Sequence, residues 1–262
     1  MKLKYFSRIK TIGFIPLLVL FFSCASKHDV VYYQNIEAIS ASQDANFYEV
    51  KIQPDDLLMI IVSADDPEVS IPFNLKTYSI SSSKLDVARG QETIQLYLVD
   101  QAGYIEFPVL GKLHVGALTR SEVLQLLKDR IGNYIKNPIV NIRITNFKVS
   151  VQGEVNLPGT YPVNSERVTL IEALSMAKDL TIYGKRDNIL VIRENNGKKS
   201  YNRIDLTKSD FINSPFYYLA QNDVVYVEPN KTKVNASAVG PNTSVIISAV
   251  SILVSLCVLI FK

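Results

Sequence analysis

The chain has 262 residues, a formal net charge of +3 and two cysteines. So small a positive charge, with no Lys/Arg cluster of nucleic-acid character, excludes a nucleic-acid partner. The cysteines, Cys24 and Cys257, lie near the two ends, so no disulfide framework holds a body that is large enough to bury its own core without one.

Lys2, Lys4, Arg8 and Lys10 precede the apolar stretch from Thr11 to Phe22, and Ser23 and Cys24 follow. A basic region and a short apolar run ending in a small residue predict an export signal over residues 1–23 rather than a span. The order FFSCAS resembles a bacterial lipoprotein processing site, in which the cysteine becomes the acylated, palmitate-bearing first residue. Cys24 is therefore the expected lipidation site and membrane lipid an expected partner. Phe21 and Phe22 depart from the leucine and small residue usual there, which leaves an ordinary cleaved signal or an uncleaved anchor as alternatives. Residues 24–47 lack periodicity and are rich in Ser, Ala, Gln and Asn, so they read as a tether.

Residues 48–147 form the first expected domain. YEVKIQPDDLLMIIVS gives a strand, a turn at Pro54-Asp55 and an apolar strand from Leu57 to Val62. Loop-like sequence follows to Gly90, then a hairpin, IQLYLVD and YIEFPVLG, around Gln101-Ala102-Gly103. Thr119 with Glu122 three residues on predicts a helix opened by a capping box, with Val123, Leu127, Ile131 and Tyr134 as its apolar face. Asn137-Pro138 ends it, and IVNIRITNF alternates as a strand, with Ile139, Asn141, Arg143 and Thr145 on one face.

The second expected domain spans residues 148–229. VSVQGEVNLPGTYPV reads as two short strands around a turn, and Thr169 with Glu172 repeats the capping box before a helix from Leu170 to Ala177. NILVIR and SYNRIDL flank Asn196-Gly197, a hairpin signal, and DVVYVEP is a last strand. Short strands with one helix packed across them suit a β-grasp fold. The expected class is α+β: an α/β domain, one β-grasp domain, a linker over 230–243 and a C-terminal transmembrane α-helix over 244–262.

That terminal helix is expected from seventeen uncharged residues, Val245 to Phe261, which would span roughly 26 Å. The length is slightly short of an average hydrocarbon core of ~30 Å and suits a thin membrane. Ser244, Ser248, Ser251, Ser255 and Lys262 share one arc, and Ile246, Val250, Leu253, Cys257 and Ile260 lie opposite. Three readings stand: small residues packing helix on helix, a pore-lining stripe, or a lone helix in lipid. The first two require further copies of the chain.

YEVKIQPDDLLMIIV, GYIEFPVLGKLHVGALTRSEV and NPIVNIRI, followed by VSVQGEVNLPGTYPV and the helix from Thr169, resemble the outer-membrane polysaccharide export lipoproteins of capsule and exopolysaccharide export. The resemblance covers residues 48–229, as a polysaccharide-export domain followed by a soluble-ligand-binding β-grasp domain. It implies a lipid-anchored homo-oligomeric ring at the bacterial outer membrane, with soluble domains in the periplasm. It further implies C-terminal helices lining a porin-like exit channel for the exported polysaccharide. An inner-membrane polysaccharide co-polymerase, often a tyrosine kinase, is the implied partner beneath the ring. The family's β-grasp helix usually ends in Ala-Gly-Gly, whereas Ala177 is followed here by Lys178 and Asp179, so that turn must be built differently. Only one β-grasp repeat is visible. The alternative is a doubly anchored periplasmic scaffold or glycan-binding module with no pore of its own.

Enzymatic chemistry is not expected. His28 lies in the tether and His114 in a turn or strand; no HExxH, CxxC, GxSxG or P-loop pattern occurs. The glycines Gly111 and Gly116 have phosphate-loop spacing without the Lys-Ser/Thr that would follow. Asp55-Asp56 and Asp65-Asp66 read as solvated turn acids. No convergent pocket is evident, and no metal or cofactor is expected.

Overall fold

The computed structural model describes residues 27–38, 48–80, 90–195, 197–238 and 243–260. Its architecture is mixed α+β, built around two hydrophobic cores. In the first, β1 (Leu57–Ser63) turns Leu58, Ile60 and Val62 inward, each almost fully buried. Asp66 caps the single turn α1 (Pro67–Ser70) by accepting from the Glu68 amide. The hairpin β2 (Lys76–Ile80) and β3 (Gly90–Ile94) leads to β4 (Leu96–Leu98), which pairs antiparallel with β1. A second hairpin, β5 (Tyr104–Phe107) and β6 (Gly111–His114), buries Ile105, Phe107 and Leu113.

The capping box forms as its sequence predicts: Glu122 N donates to Thr119 Oγ1 and Thr119 N to Glu122 Oε2. It opens α2 (Arg120–Ile131), whose Val123, Leu127 and Ile131 are fully buried. The helix stops one turn before Tyr134. Gly132 caps it, and the tighter turn that follows brings Ile135 rather than Tyr134 into the core. Tyr134 instead stays exposed with its edge on Phe73, 5.9 Å between ring centres. β7 (Ile139–Ile144) then pairs antiparallel with β1, placing Val140 opposite Val62 and Ile144 opposite Leu58. In the order β4-β1-β7, one edge of β7 is left without a strand partner among the described residues.

The second core lies under a five-stranded mixed sheet. β8 (Lys148–Gly153) and β9 (Gly159–Pro162) form one edge, and β10 (Val168–Thr169) pairs separately with β13 (Tyr218–Leu219). The long β11 (Gly184–Asn195) and β12 (Lys198–Ile204) form the other edge; β14 (Val224–Pro229) lies between β11 and β8, antiparallel to the first and parallel to the second. The capping box at Thr169 and Glu172 opens α3 (Leu170–Met176), which buries Leu170, Ala173 and Leu174 against the sheet. After it Lys178 and Asp179 both adopt left-handed backbone, φ 58° and 64°, where glycine is the usual occupant. Asn156 Nδ2 bonds the carbonyls of both, and Asp179 Oδ1 accepts from the Leu180 amide, so the turn is held from outside the helix.

Two stretches of chain join the cores. Val50 packs in the second core and Ile52 in the first, where the Ile52 amide bonds the Leu118 carbonyl. Asn146 makes the return crossing: its side chain accepts from the Leu57 amide and donates to the Asp55 carbonyl, while Gln221 bonds its carbonyl and the Lys148 amide. Within the expected tether, Lys27–Asp29 and Ile36–Ala38 are short 3-10 turns of a strap laid on the second unit. The Tyr33 and Gln34 amides bond the Leu206 and Thr207 carbonyls, Asn35 accepts from Ser209, and Tyr33 packs on Phe211.

The expected transmembrane helix is corrected. α4 (Lys231–Ala238) and α5 (Thr243–Ile260) follow the second unit. α5 has 18 residues, a rise of about 27 Å that falls short of a ~30 Å hydrocarbon core. Among the described residues no helix is long and apolar enough to cross a membrane.

Candidate functional site

Of the residues singled out by the sequence, Cys24 and Lys262 lie outside the described residues, while Ser244, Ser248, Ser251 and Ser255 all fall on α5. Ser251 Oγ donates to the Ile247 carbonyl and Ser255 Oγ to the Ser251 carbonyl, both at 2.8 Å. These hydroxyls are satisfied by the helix's own backbone, so they need neither lumen water nor a partner's polar group. They form a small, smooth face. Opposite them Ile246, Val250 and Leu253 remain exposed in the single chain.

The turn acids divide. Asp55, at φ 69°, meets the Gln101 amide at the surface. Asp56 is fully buried instead: Oδ2 accepts from the Gln53 amide at 2.8 Å, and Oδ1 meets no hydrogen-bond donor within bonding distance among the described residues. Burial pushes its carboxyl up to about 6. His114 is an exposed histidine on β6 whose ring meets that of Tyr104 edge to face, 4.8 Å between centres. Among the described residues no group of three or more His, Cys, Asp or Glu could hold a metal ion.

A cleft of about 520 Å³, not foreseen from the sequence, lies between the two cores. One wall is β7 from Asn141 to Ile144, the other the loop Asn164 to Arg167, and Tyr48 to Val50 cross between them. The β7 wall is the strand's unpaired edge. The Thr145 amide bonds the Leu57 carbonyl, so by antiparallel alternation the backbone groups of Arg143 and Asn141 also face β1, and those of Ile142 and Ile144 face the cleft.

Three arginines and two glutamates line this cleft. Arg120 Nε meets Glu166 Oε1 at 3.3 Å, joining the start of α2 to the loop of the second unit. Glu49 accepts from Ser121 Oγ and from its amide, bonds that hold its carboxyl below the usual range. Both carboxylates are thus engaged. Arg143 and Arg167 form no ion pair among the described residues; the Arg167 guanidinium sits 5.1 Å over the Tyr218 ring. Tyr48 stacks on Tyr218, 4.9 Å between centres and 10° between planes, and burial pushes its phenol up. Asn141 and Arg143 were legible as the polar face of an alternating strand. Arg120, Glu166 and Arg167 carry no such signal, because only the packing of two units brings them together.

Residues 44–145 match the family model of the polysaccharide biosynthesis/export protein, and residues 147–227 that of the SLBB domain. The chain belongs to the polysaccharide export family. Among relatives of this export family, the EPS I polysaccharide export outer membrane protein EpsA of Ralstonia solanacearum is 31% identical over 202 residues, 74% of this chain and 52% of the relative. Its counterpart in Ralstonia nicotianae is 31% identical over 202 residues, covering 74% of this chain and 51% of the relative. The chain spans about half the length of these relatives. The family boundary falls at Asn146, the residue whose side chain and carbonyl pin the return crossing.

Proposed function

We propose that this chain is a subunit of an outer-membrane polysaccharide export assembly, a transport component rather than an enzyme. The observation that carries the reading is the succession of a polysaccharide export match over residues 44–145 and an SLBB match over 147–227. In this reading Cys24 carries the lipid anchor, the soluble units stand in the periplasm, and identical copies close into a ring around the passing capsular or exopolysaccharide. An inner-membrane co-polymerase or tyrosine kinase delivers the polymer from below. The C-terminal helix contributes contacts between copies: the small face of Ser251 and Ser255 admits a close neighbour, and the bare flank of Ile246, Val250 and Leu253 gives association an apolar driving force.

Deletion of the gene is expected to abolish surface polysaccharide, restored by wild type and not by Cys24→Ser. The mass of the detergent-extracted particle should correspond to a closed ring. Undiminished surface polysaccharide in the deletion strain would overturn the export reading, and a monomer would overturn the ring.

A further inference from the structure

We propose that the cleft between the two units is a binding site for an acidic sugar residue of the polymer, one bearing a carboxylate; this rests on the polysaccharide export reading. The charge balance comes first. Three arginines against two glutamates leave the lining net positive by one: Glu166 is paired with Arg120, Glu49 stays ionised against Ser121, and Arg143 and Arg167 stand on opposite walls with no ion pair among the described residues. Guanidinium is the side chain best shaped to take a carboxylate bidentately.

The rest of the lining fits a polyhydroxyl ligand. Asn141 and Asn164 enter the cleft with side chains that make no hydrogen bond among the described residues, and the free β7 edge adds the backbone groups of Ile142 and Ile144. Each offers a donor and an acceptor, as a sugar hydroxyl requires. The Tyr48–Tyr218 stack supplies a rigid aromatic neighbour. At about 520 Å³ the cleft falls in the range of roughly 300–1,000 Å³ found for small-ligand sites. An extended peptide added to the β7 edge is the competing occupant, but it would need side-chain pockets alternating along the strand. The cleft wall instead offers charged and amide groups.

The test uses the full-length protein in detergent, titrated calorimetrically with trigalacturonate and with its neutral methyl ester. The acid should bind at least about tenfold more tightly than the ester, and Arg143→Gln or Arg167→Gln should each weaken it about tenfold or more, as loss of a charge-assisted hydrogen bond does. Lys199→Gln, on the distant β11–β12 hairpin, should leave it unchanged. Absence of binding, equal binding of acid and ester, or equal binding by wild type and both arginine variants would overturn the site. Loss of ring mass in Arg143→Gln without saccharide binding by wild type would overturn it too, identifying the β7 edge as a contact between copies. Surface polysaccharide separates the two failures: if the deletion strain loses it while both arginine variants export normally and bind no saccharide, the site falls and the export reading stands.

Discussion

Arg193 on β11 and Asp223 before β14 form the most enclosed ion pair among the described residues, and replacing Arg193 with alanine should be the most damaging single change in the second unit. The Asp223 side chain is fully buried and that of Arg193 is 14% exposed. Arg193 Nε reaches both carboxylate oxygens at 3.1 Å and Nη2 reaches Oδ2 at 2.7 Å. The same guanidinium donates to the Tyr218 carbonyl at 2.9 Å and the Pro215 carbonyl at 3.3 Å, and lies 4.6 Å from the Phe216 ring centre. It therefore staples the 215–223 loop to the sheet. Arg193→Ala leaves an uncompensated buried carboxylate, which costs about 3–5 kcal/mol, a large part of the 5–15 kcal/mol typical of a domain. Burial raises the Asp223 carboxyl even with arginine present, so without it the group must rise further. A raised carboxyl binds its proton more readily folded than unfolded. The deficit of the variant should therefore shrink as pH falls from 7.5 to 5. Urea unfolding of the full-length protein in detergent, followed by tyrosine fluorescence and circular dichroism, measures both. A deficit below about 1 kcal/mol that is constant with pH would refute the reasoning and mark the pair as solvated.

Asp56 sets a second pH dependence: with a folded value of about 6 against 3.8, it should make the first unit up to about 3 kcal/mol more stable as pH falls from above 6 to below 4, and Asp56→Asn should flatten that profile in the same unfolding assay. Lys178→Gly should stabilise the second unit by about 0.5–1 kcal/mol, seen as a higher urea midpoint, because φ 58° is strained for lysine and free for glycine. Tyr32 OH donates to Asp179 Oδ1 at 2.7 Å, so Tyr32→Phe should cost about 1 kcal/mol and speed limited proteolysis within residues 27–38, leaving cleavage elsewhere unchanged.

What the sequence makes legible here is what is decided locally. Both capping boxes, the alternation of Leu58, Ile60 and Val62, and the β11–β12 hairpin depend on residues within a few positions of one another, and each forms as its pattern predicts. What is decided between elements is not legible. Asp56 follows a proline-turn signal that suits a solvated acid, yet the turn points it inward. Lys178 and Asp179 occupy positions where glycine would announce a left-handed turn, and the support that lets other residues serve, Asn156 and Tyr32, comes from far along the chain. The terminal helix shows the limit of reading apolarity alone: composition suggested a span, and the helix that forms is too short for one. The cleft arginines arrive from three separate segments, and no spacing rule joins them.

The route of the chain between its cores has a mechanical consequence. Residues 27–38, and then Val50, belong to the second unit before the chain enters the first at Ile52; it returns at Asn146. The first unit is thus spliced into the second, and the segment nearest the N-terminus is fastened to the later one. Tension applied at that end would first meet the Tyr32 bond to Asp179 and then the Tyr33, Gln34 and Asn35 bonds to residues 206–209, and so would be borne by the second unit. The export-domain core would hang from two chain crossings, outside the line of force, while the second unit carries the strain.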